Sequence, residues 1–184
     1  REEIRRIQQE TKVTTIFVTH DQEEAMSISD QIILMKDGIN QQIAQPQEMY
    51  ENPKNTFVAD FLGNPPINKM FGVIKDGIFI LDDQSAKCRF KNLINLPNDL
   101  EVILSIRSES IDKSESRDDI AFSAEILEIY LMGKERLAYL KFGSTTLRAY
   151  IDIDHKVEVG NNVDLKLKDK GVFIFDRKTG ERLI

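Results

Sequence analysis

At Gly63-Asn64-Pro65-Pro66 the chain changes its periodicity, and this change constrains the fold more than any other feature. Upstream, helical and strand patterns alternate; downstream, apolar residues recur at every second position. A glycine followed by two prolines continues neither a helix nor a central strand, so the pattern predicts a domain boundary here. Residues 1–66 form one part and residues 67–184 the other. In the second part Val102, Leu104 and Ile106 alternate with Ile103 and Ser105, and Phe122, Ala124 and Ile126 alternate with Ser123 and Glu125. Leu147, Ala149 and Ile151 repeat the theme, as do Val163, Leu165 and Leu167. Turn signals separate these runs at Lys75-Asp76-Gly77, Leu81-Asp82-Asp83, Met132-Gly133-Lys134, Gly143-Ser144 and Gly160-Asn161-Asn162. Short, evenly spaced strands with no helix-period stretch predict a small all-β antiparallel barrel or sandwich. Lys113–Asp119 reads as a polar loop.

The first part is of the α/β kind. Arg1–Thr11 has a helical pattern, with Ile4 and Ile7 on one face and Glu2 and Arg6 one turn apart on the other. Val13–Thr19 is apolar on both faces, which suits a strand buried in a parallel sheet. It stops at His20, and Asp21–Ile28 turns into a helix, with Asp21 as its cap and Glu24 at the capping-box spacing. His20 is thereby held where a strand ends and a helix begins, the place where open α/β sheets bind phosphates. Gln31–Met35 reads as a second strand, Lys36-Asp37-Gly38 as a tight turn and Ile39–Ala44 as the returning arm of a hairpin. Pro46 opens a short helix, and Asn55–Leu62 forms another. A strand of the parallel type at Val13–Thr19 has no earlier strand to pair with, and the chain opens on Arg1 inside a helix. Both point to the C-terminal part of a larger protein.

Composition narrows the function classes. A net charge of −6 disfavours nucleic acid as a general partner. No apolar run approaches the roughly 18 residues of a membrane-spanning helix. The single cysteine, Cys88, excludes an internal disulfide and reads as an inert strand residue. His155 reads as a residue of an exposed turn.

The segment Thr19-His20-Asp21-Gln22-Glu23-Glu24-Ala25 closely resembles the switch-histidine segment of ATP-binding-cassette (ABC) transporter ATPases, above all of maltose-type sugar importers. Three further segments resemble the same family in the same order. They are Ser29-Asp30-Gln31-Ile32-Ile33-Leu34-Met35-Lys36-Asp37-Gly38, Gln45-Pro46-Gln47-Glu48-Met49-Tyr50-Glu51-Asn52-Pro53, and Phe57-Val58-Ala59-Asp60-Phe61-Leu62-Gly63-Asn64-Pro65-Pro66-Ile67-Asn68. Ile106-Arg107-Ser108-Glu109-Ser110-Ile111 is similar to a downstream family segment in which proline usually stands at the place of Ser108.

The resemblance implies a fold in two pieces: an α/β remnant of a P-loop NTPase domain over residues 1–66, and an all-β OB-type regulatory barrel over residues 67–184. It implies that His20 is the catalytic switch residue that contacts the γ-phosphate of ATP. No other residue is assigned to a catalytic, cofactor or metal site; Asp21 and Glu24 read as caps, and Gln22 has no role. Arg107 and Glu109 read as an internal ion pair or as subunit contacts. ATP and Mg2+ are the implied cofactors of the full-length protein, with none bound by this stretch alone. The phosphate-cradling G-x-x-x-x-G-K-[ST] loop, the Leu-Ser-Gly-Gly-Gln signature and the strand ending in an aspartate–glutamate pair are all absent. The only Gly-Lys pair, Gly133-Lys134, precedes a glutamate. The implied partners are a second copy, membrane permease subunits and, indirectly, a solute-binding protein, at the cytoplasmic face of the plasma membrane. The implied cargo is a carbohydrate or a related solute, with glycerol phosphate left open. A second reading is a regulatory, ligand-sensing or dimerising OB-type module without catalysis of its own. A free-standing nucleic-acid-binding OB protein is disfavoured by the charge and by the first 62 residues.

Overall fold

The computed structural model describes residues 2–133, 135–151 and 157–184. The Glu2 side chain, Lys134 and His155, each named above, lie outside the described residues. The chain divides into two units, Arg1–Asn64 and Pro65–Ile184.

The first unit holds α1 (Glu2–Thr11), α2 (Gln22–Ile28), β1 (Ile32–Lys36), β2 (Ile39–Ala44), α3 (Pro46–Glu51) and α4 (Thr56–Phe61). β1 and β2 pair antiparallel from Ile32 opposite Ala44 to Lys36 opposite Ile39. Asp37 and Gly38 both take positive φ in the turn between them. Leu34 and Ile32 enter a small core with Met49, Val58 and Leu62, against which Ala25, Met26 and Phe57 pack.

The strand expected at Val13–Thr19 does not form. The segment carries no strand assignment, and Ile16 and Val18 are 89% and 90% exposed. β-branched residues favour an extended chain, but a strand also needs a hydrogen-bonding neighbour and a partner for each apolar face. Among the described residues of this unit the only ladder is the β1–β2 hairpin, so no parallel sheet is present there.

A buried glutamine organises the rest of the unit. The Gln42 Nε2 donates to the Asn52 carbonyl at 3.0 Å, and its Oε1 accepts from the Lys54 amide at 2.8 Å. This secures the Asn52-Pro53-Lys54 turn, after which Asn55 caps α4 by accepting from the Val58 amide at 3.0 Å.

Among its described residues the second unit is all β apart from three short 3-10 turns. Its strands are β3 (Asn68–Lys75), β4 (Ile78–Leu81), β5 (Lys87–Arg89), β6 (Leu100–Ile106), β7 (Ile111–Lys113), β8 (Phe122–Met132), β9 (Glu135–Phe142), β10 (Thr145–Ile151), β11 (Asn162–Leu167) and β12 (Val172–Asp176). They form two five-stranded antiparallel sheets, in the orders β12-β6-β3-β4-β5 and β10-β9-β8-β11-β7. The inward residues of both meet in one core. Met70, Ile74, Phe79, Leu104 and Ile106 come from the first sheet, and Phe122, Ile126, Leu140, Phe142 and Leu147 from the second. The period-two pattern read at Val102–Ile106, Phe122–Ile126, Leu147–Ile151 and Val163–Leu167 corresponds to β6, β8, β10 and β11.

Asn68, at the start of β3, joins the two sheets. Its Nδ2 donates to the carbonyls of Ile106 and Arg148 at 3.0 and 2.8 Å, and its Oδ1 accepts from the Arg148 amide at 2.7 Å. The polar run expected as a loop is partly ordered. Lys113 ends β7, opposite Leu165, and Arg117–Asp119 forms a 3-10 turn whose Asp118 amide donates to the Ser116 hydroxyl. Serine hydroxyls close to the backbone supply hydrogen bonds that a count of polar residues does not reveal.

Ser108 opens the 3-10 turn Ser108–Ser110, its side chain is buried, and its hydroxyl has no hydrogen-bond partner among the described residues. Arg107 before it lies at φ −63° and ψ 142°, the conformation that a following proline demands. Proline is favoured at a first helical position, and it restricts the unfolded chain. Ser108→Pro will therefore stabilise the chain by about 0.5–1 kcal/mol. A shift of the urea midpoint upward at constant slope is the measurement; a downward shift rules this out.

Candidate functional site

His20 lies in a bend between the extended segment and α2, with its side chain exposed. Its position is set by its two neighbours. The Thr19 hydroxyl accepts from the Asp21 amide at 3.0 Å and donates to the Glu24 Oε2 at 2.8 Å. The Asp21 carboxylate accepts from the Glu24 amide at 2.9 Å, capping α2. The capping box is thus closed through Thr19: Glu24 reaches the Asp21 amide by way of that hydroxyl. The three bonds fix the backbone on both sides of His20 and turn its imidazole to solvent.

The amide that a phosphate would use at the start of α2 is taken by Asp21, and Glu23 and Glu24 add negative charge to the first turn. Such charge favours the helix and repels an anion from its end. At the other end, Arg5 of α1 donates to the Ile28 carbonyl at 2.6 Å and to Asp30 at 3.2 Å, which satisfies a terminal carbonyl of α2.

Sequence reasoning missed two residues. Thr19 was visible in principle, since a threonine two residues before an amide is a side-chain turn signal. Gln22 was not. Its Oε1 accepts from the Gly63 amide at 2.7 Å, across 41 residues, and no local pattern announces such a bond.

In the second unit Arg107 is buried with its guanidinium 6.0 Å from the Phe173 ring centre, while Glu109 is exposed. A shallow cleft of about 220 Å3 lies between the turn after β4 and the β9–β10 turn, lined by Lys69, Phe71, Asp82, Asp83 and Ser144. Hydrogen bonds from Ser144 and Ser85 hold the Asp83 carboxyl down at about 2, so it is a carboxylate at neutral pH and clasps the two turns together. Among the described residues no three His, Cys, Asp or Glu side chains converge to hold a metal.

No protein-family model matches the chain. Curated proteins match it over nearly its whole length. A trehalose/maltose import ATP-binding protein, MalK, of Thermococcus litoralis is 32% identical over 100% of this chain and 52% of its own. The multiple sugar-binding transport ATP-binding protein MsmK of Streptococcus mutans is 34% identical over 97% of this chain and 52% of its own. A putative ABC transporter ATP-binding protein of Mycoplasma pneumoniae is 35% identical over 100% of this chain and 30% of its own. A solved structure of the molybdate-bound protein ModG is similar at a TM-score of 0.44 and 12% identity, covering 58% of this chain and 94% of that one, too distant to carry an argument.

The chain belongs to the ATP-binding proteins of ABC transporters. Relatives it matches are named for the import of trehalose/maltose, of multiple sugars and of sn-glycerol-3-phosphate. It spans about half the length of the Thermococcus and Streptococcus relatives and 30% of the Mycoplasma protein. No helix among the described residues is long and apolar enough to cross a membrane.

Proposed function

We propose that this chain forms part of the ATP-hydrolysing subunit of an ABC importer for a carbohydrate or related solute. Residues 1–66 are the end of its nucleotide-binding domain, of the P-loop NTPase type, and residues 67–184 are an OB-type regulatory domain. The observation that carries the reading is His20: a solvent-facing imidazole whose backbone is pinned on both sides by Thr19, Asp21 and Glu24. An imidazole N–H carried on such a backbone suits the γ-phosphate of ATP, because phosphoryl transfer is promoted by positioning and charge stabilisation.

His20 binds and orients; the phosphate-cradling and water-activating groups come from outside this sequence. When bound, the magnesium ion that accompanies ATP would neutralise phosphate charge. On this reading the stretch alone hydrolyses no ATP, because its sequence holds no phosphate-cradling loop, signature or acidic strand end. The assembly is a pair of ATPase subunits acting on membrane permease subunits, with a solute-binding protein upstream, at the cytoplasmic face of the membrane. A regulatory, ligand-sensing or dimerising OB-type module without catalysis of its own is the second reading.

In the full-length protein His20→Ala will lower ATP turnover by about a hundredfold, the scale of losing one positioned donor. Near-wild-type turnover removes the switch-histidine assignment.

A further inference from the structure

Neither the sequence nor the proposed chemistry gives Gln22 of the Thr19–Ala25 segment a task. It is the first residue of α2 and half-buried. Its Oε1 accepts from the Gly63 amide at 2.7 Å. Gly63 follows the Leu62 cap of α4 and leads into Asn64-Pro65-Pro66, the segment that joins the two units.

We propose that the Gln22–Gly63 hydrogen bond is a latch through which the joining segment sets the position of His20, which makes Gln22 a positioning residue for ATP turnover. This rests on the switch-histidine reading. Three observations support it. First, the His20 bend and the first turn of α2 move as one piece, because Thr19, Asp21 and Glu24 bond across both. Gln22 sits in that piece, two residues from His20. Second, the acceptor of the latch is a side-chain oxygen and the donor a backbone amide, so a displacement of the joining segment is felt directly at α2. Third, Gly63 lies at φ +120°, a conformation open to glycine and closed to most side chains. The amide is therefore presented by the one residue type that holds this geometry without strain. Pro65 and Pro66, two and three residues further on, stiffen the joining segment with their fixed φ. Leu62 on the N-terminal side of Gly63 is buried in the core of the first unit, which anchors one end of the linkage.

The latch works by geometry, so its loss alters the fraction of molecules with His20 in place and leaves the binding of ATP by other groups unchanged. In the full-length protein, Gln22→Leu keeps the side-chain volume and removes the acceptor. Turnover will fall about threefold to tenfold with KM for ATP unchanged, the range expected for one net hydrogen bond. Deuterium exchange at the Gly63 amide will accelerate in the same variant. Gln22→Glu retains a carboxyl oxygen as acceptor and will restore slow exchange and most of the turnover. His20→Ala, measured alongside, tests the underlying reading by itself: if it leaves turnover intact, the site assignment fails whatever Gln22 does. If His20→Ala abolishes turnover while Gln22→Leu speeds Gly63 exchange and leaves kcat at the wild-type level, the bond exists without controlling the histidine. That result overturns the latch, as does a Gln22→Leu variant that raises KM with kcat unaltered.

Discussion

Alanine at Gly72 will cost the second unit about 3 kcal/mol or more, the upper range for forcing atoms into a filled core. Gly72 lies in the middle of β3, opposite Leu81 of β4 and Val102 of β6. A Cβ there would collide with the Ile80 carbonyl and lie 2.7 Å from two atoms of the Phe79 ring. Phe79 is wholly buried, and Ile80 is a ladder residue, so neither can retreat without opening the β3–β4 pairing. The glycine is required here by space and not by its φ, since its backbone is ordinary strand. A melting temperature lower by about 10 °C is expected for a unit of this size, followed by circular dichroism at 218 nm. A variant melting within about 2 °C of wild type would show that β4 can shift aside.

Asn68→Leu will be of similar or larger effect, about 4 kcal/mol, from three lost hydrogen bonds with the groups they leave behind. Leucine differs from asparagine far more in polarity than in shape, so the hydrogen bonds dominate the change. The carbonyls of Ile106 and Arg148 and the amide of Arg148 would all lose a partner in a buried setting. The two sheets would lose the side chain that bridges β3, β6 and β10. Asn68→Asp separates donor from acceptor. The carboxylate keeps the bond from the Arg148 amide but faces two carbonyls, so the variant will be weakest at neutral pH and recover in part as acid protonates it. Denaturant titrations at pH 7 and pH 4 are the measurement. An Asn68→Leu midpoint unchanged from wild type would mean that water replaces the amide at no cost.

Much of this fold was legible because short-range rules govern it. Asp21 caps as its spacing predicts, the Asp37-Gly38 turn closes the expected hairpin, and the alternation around Leu104, Ala124, Ala149 and Leu165 identifies strands whose inward faces form the core. What was illegible depends on partners far along the chain. Val13–Val18 has a strand's composition, but an extended segment becomes a strand only when another strand lies beside it. β12 escaped notice because Val172, Phe173, Ile174 and Phe175 are buried on both faces and show no alternation. Asn68 reads as one more polar residue beside a proline-rich turn, and its role exists only because Arg148 arrives 80 residues later. The site divides in the same way. His20 and its Asp21 cap follow from neighbouring residues, whereas the Gln22–Gly63 bond is purely tertiary.

Cys88, on the short strand β5, is fully buried, and burial pushes its thiol up to about 12. It is also the only cysteine in the sequence. The thiolate is the reactive form, so in the folded chain this sulfur is shielded twice over, by lack of access and by its proton. Any modification by a thiol reagent then counts a separate excursion in which β5 leaves the edge of its sheet. The second unit thus carries its own internal clock, a single atom whose labelling rate measures how often that edge comes undone.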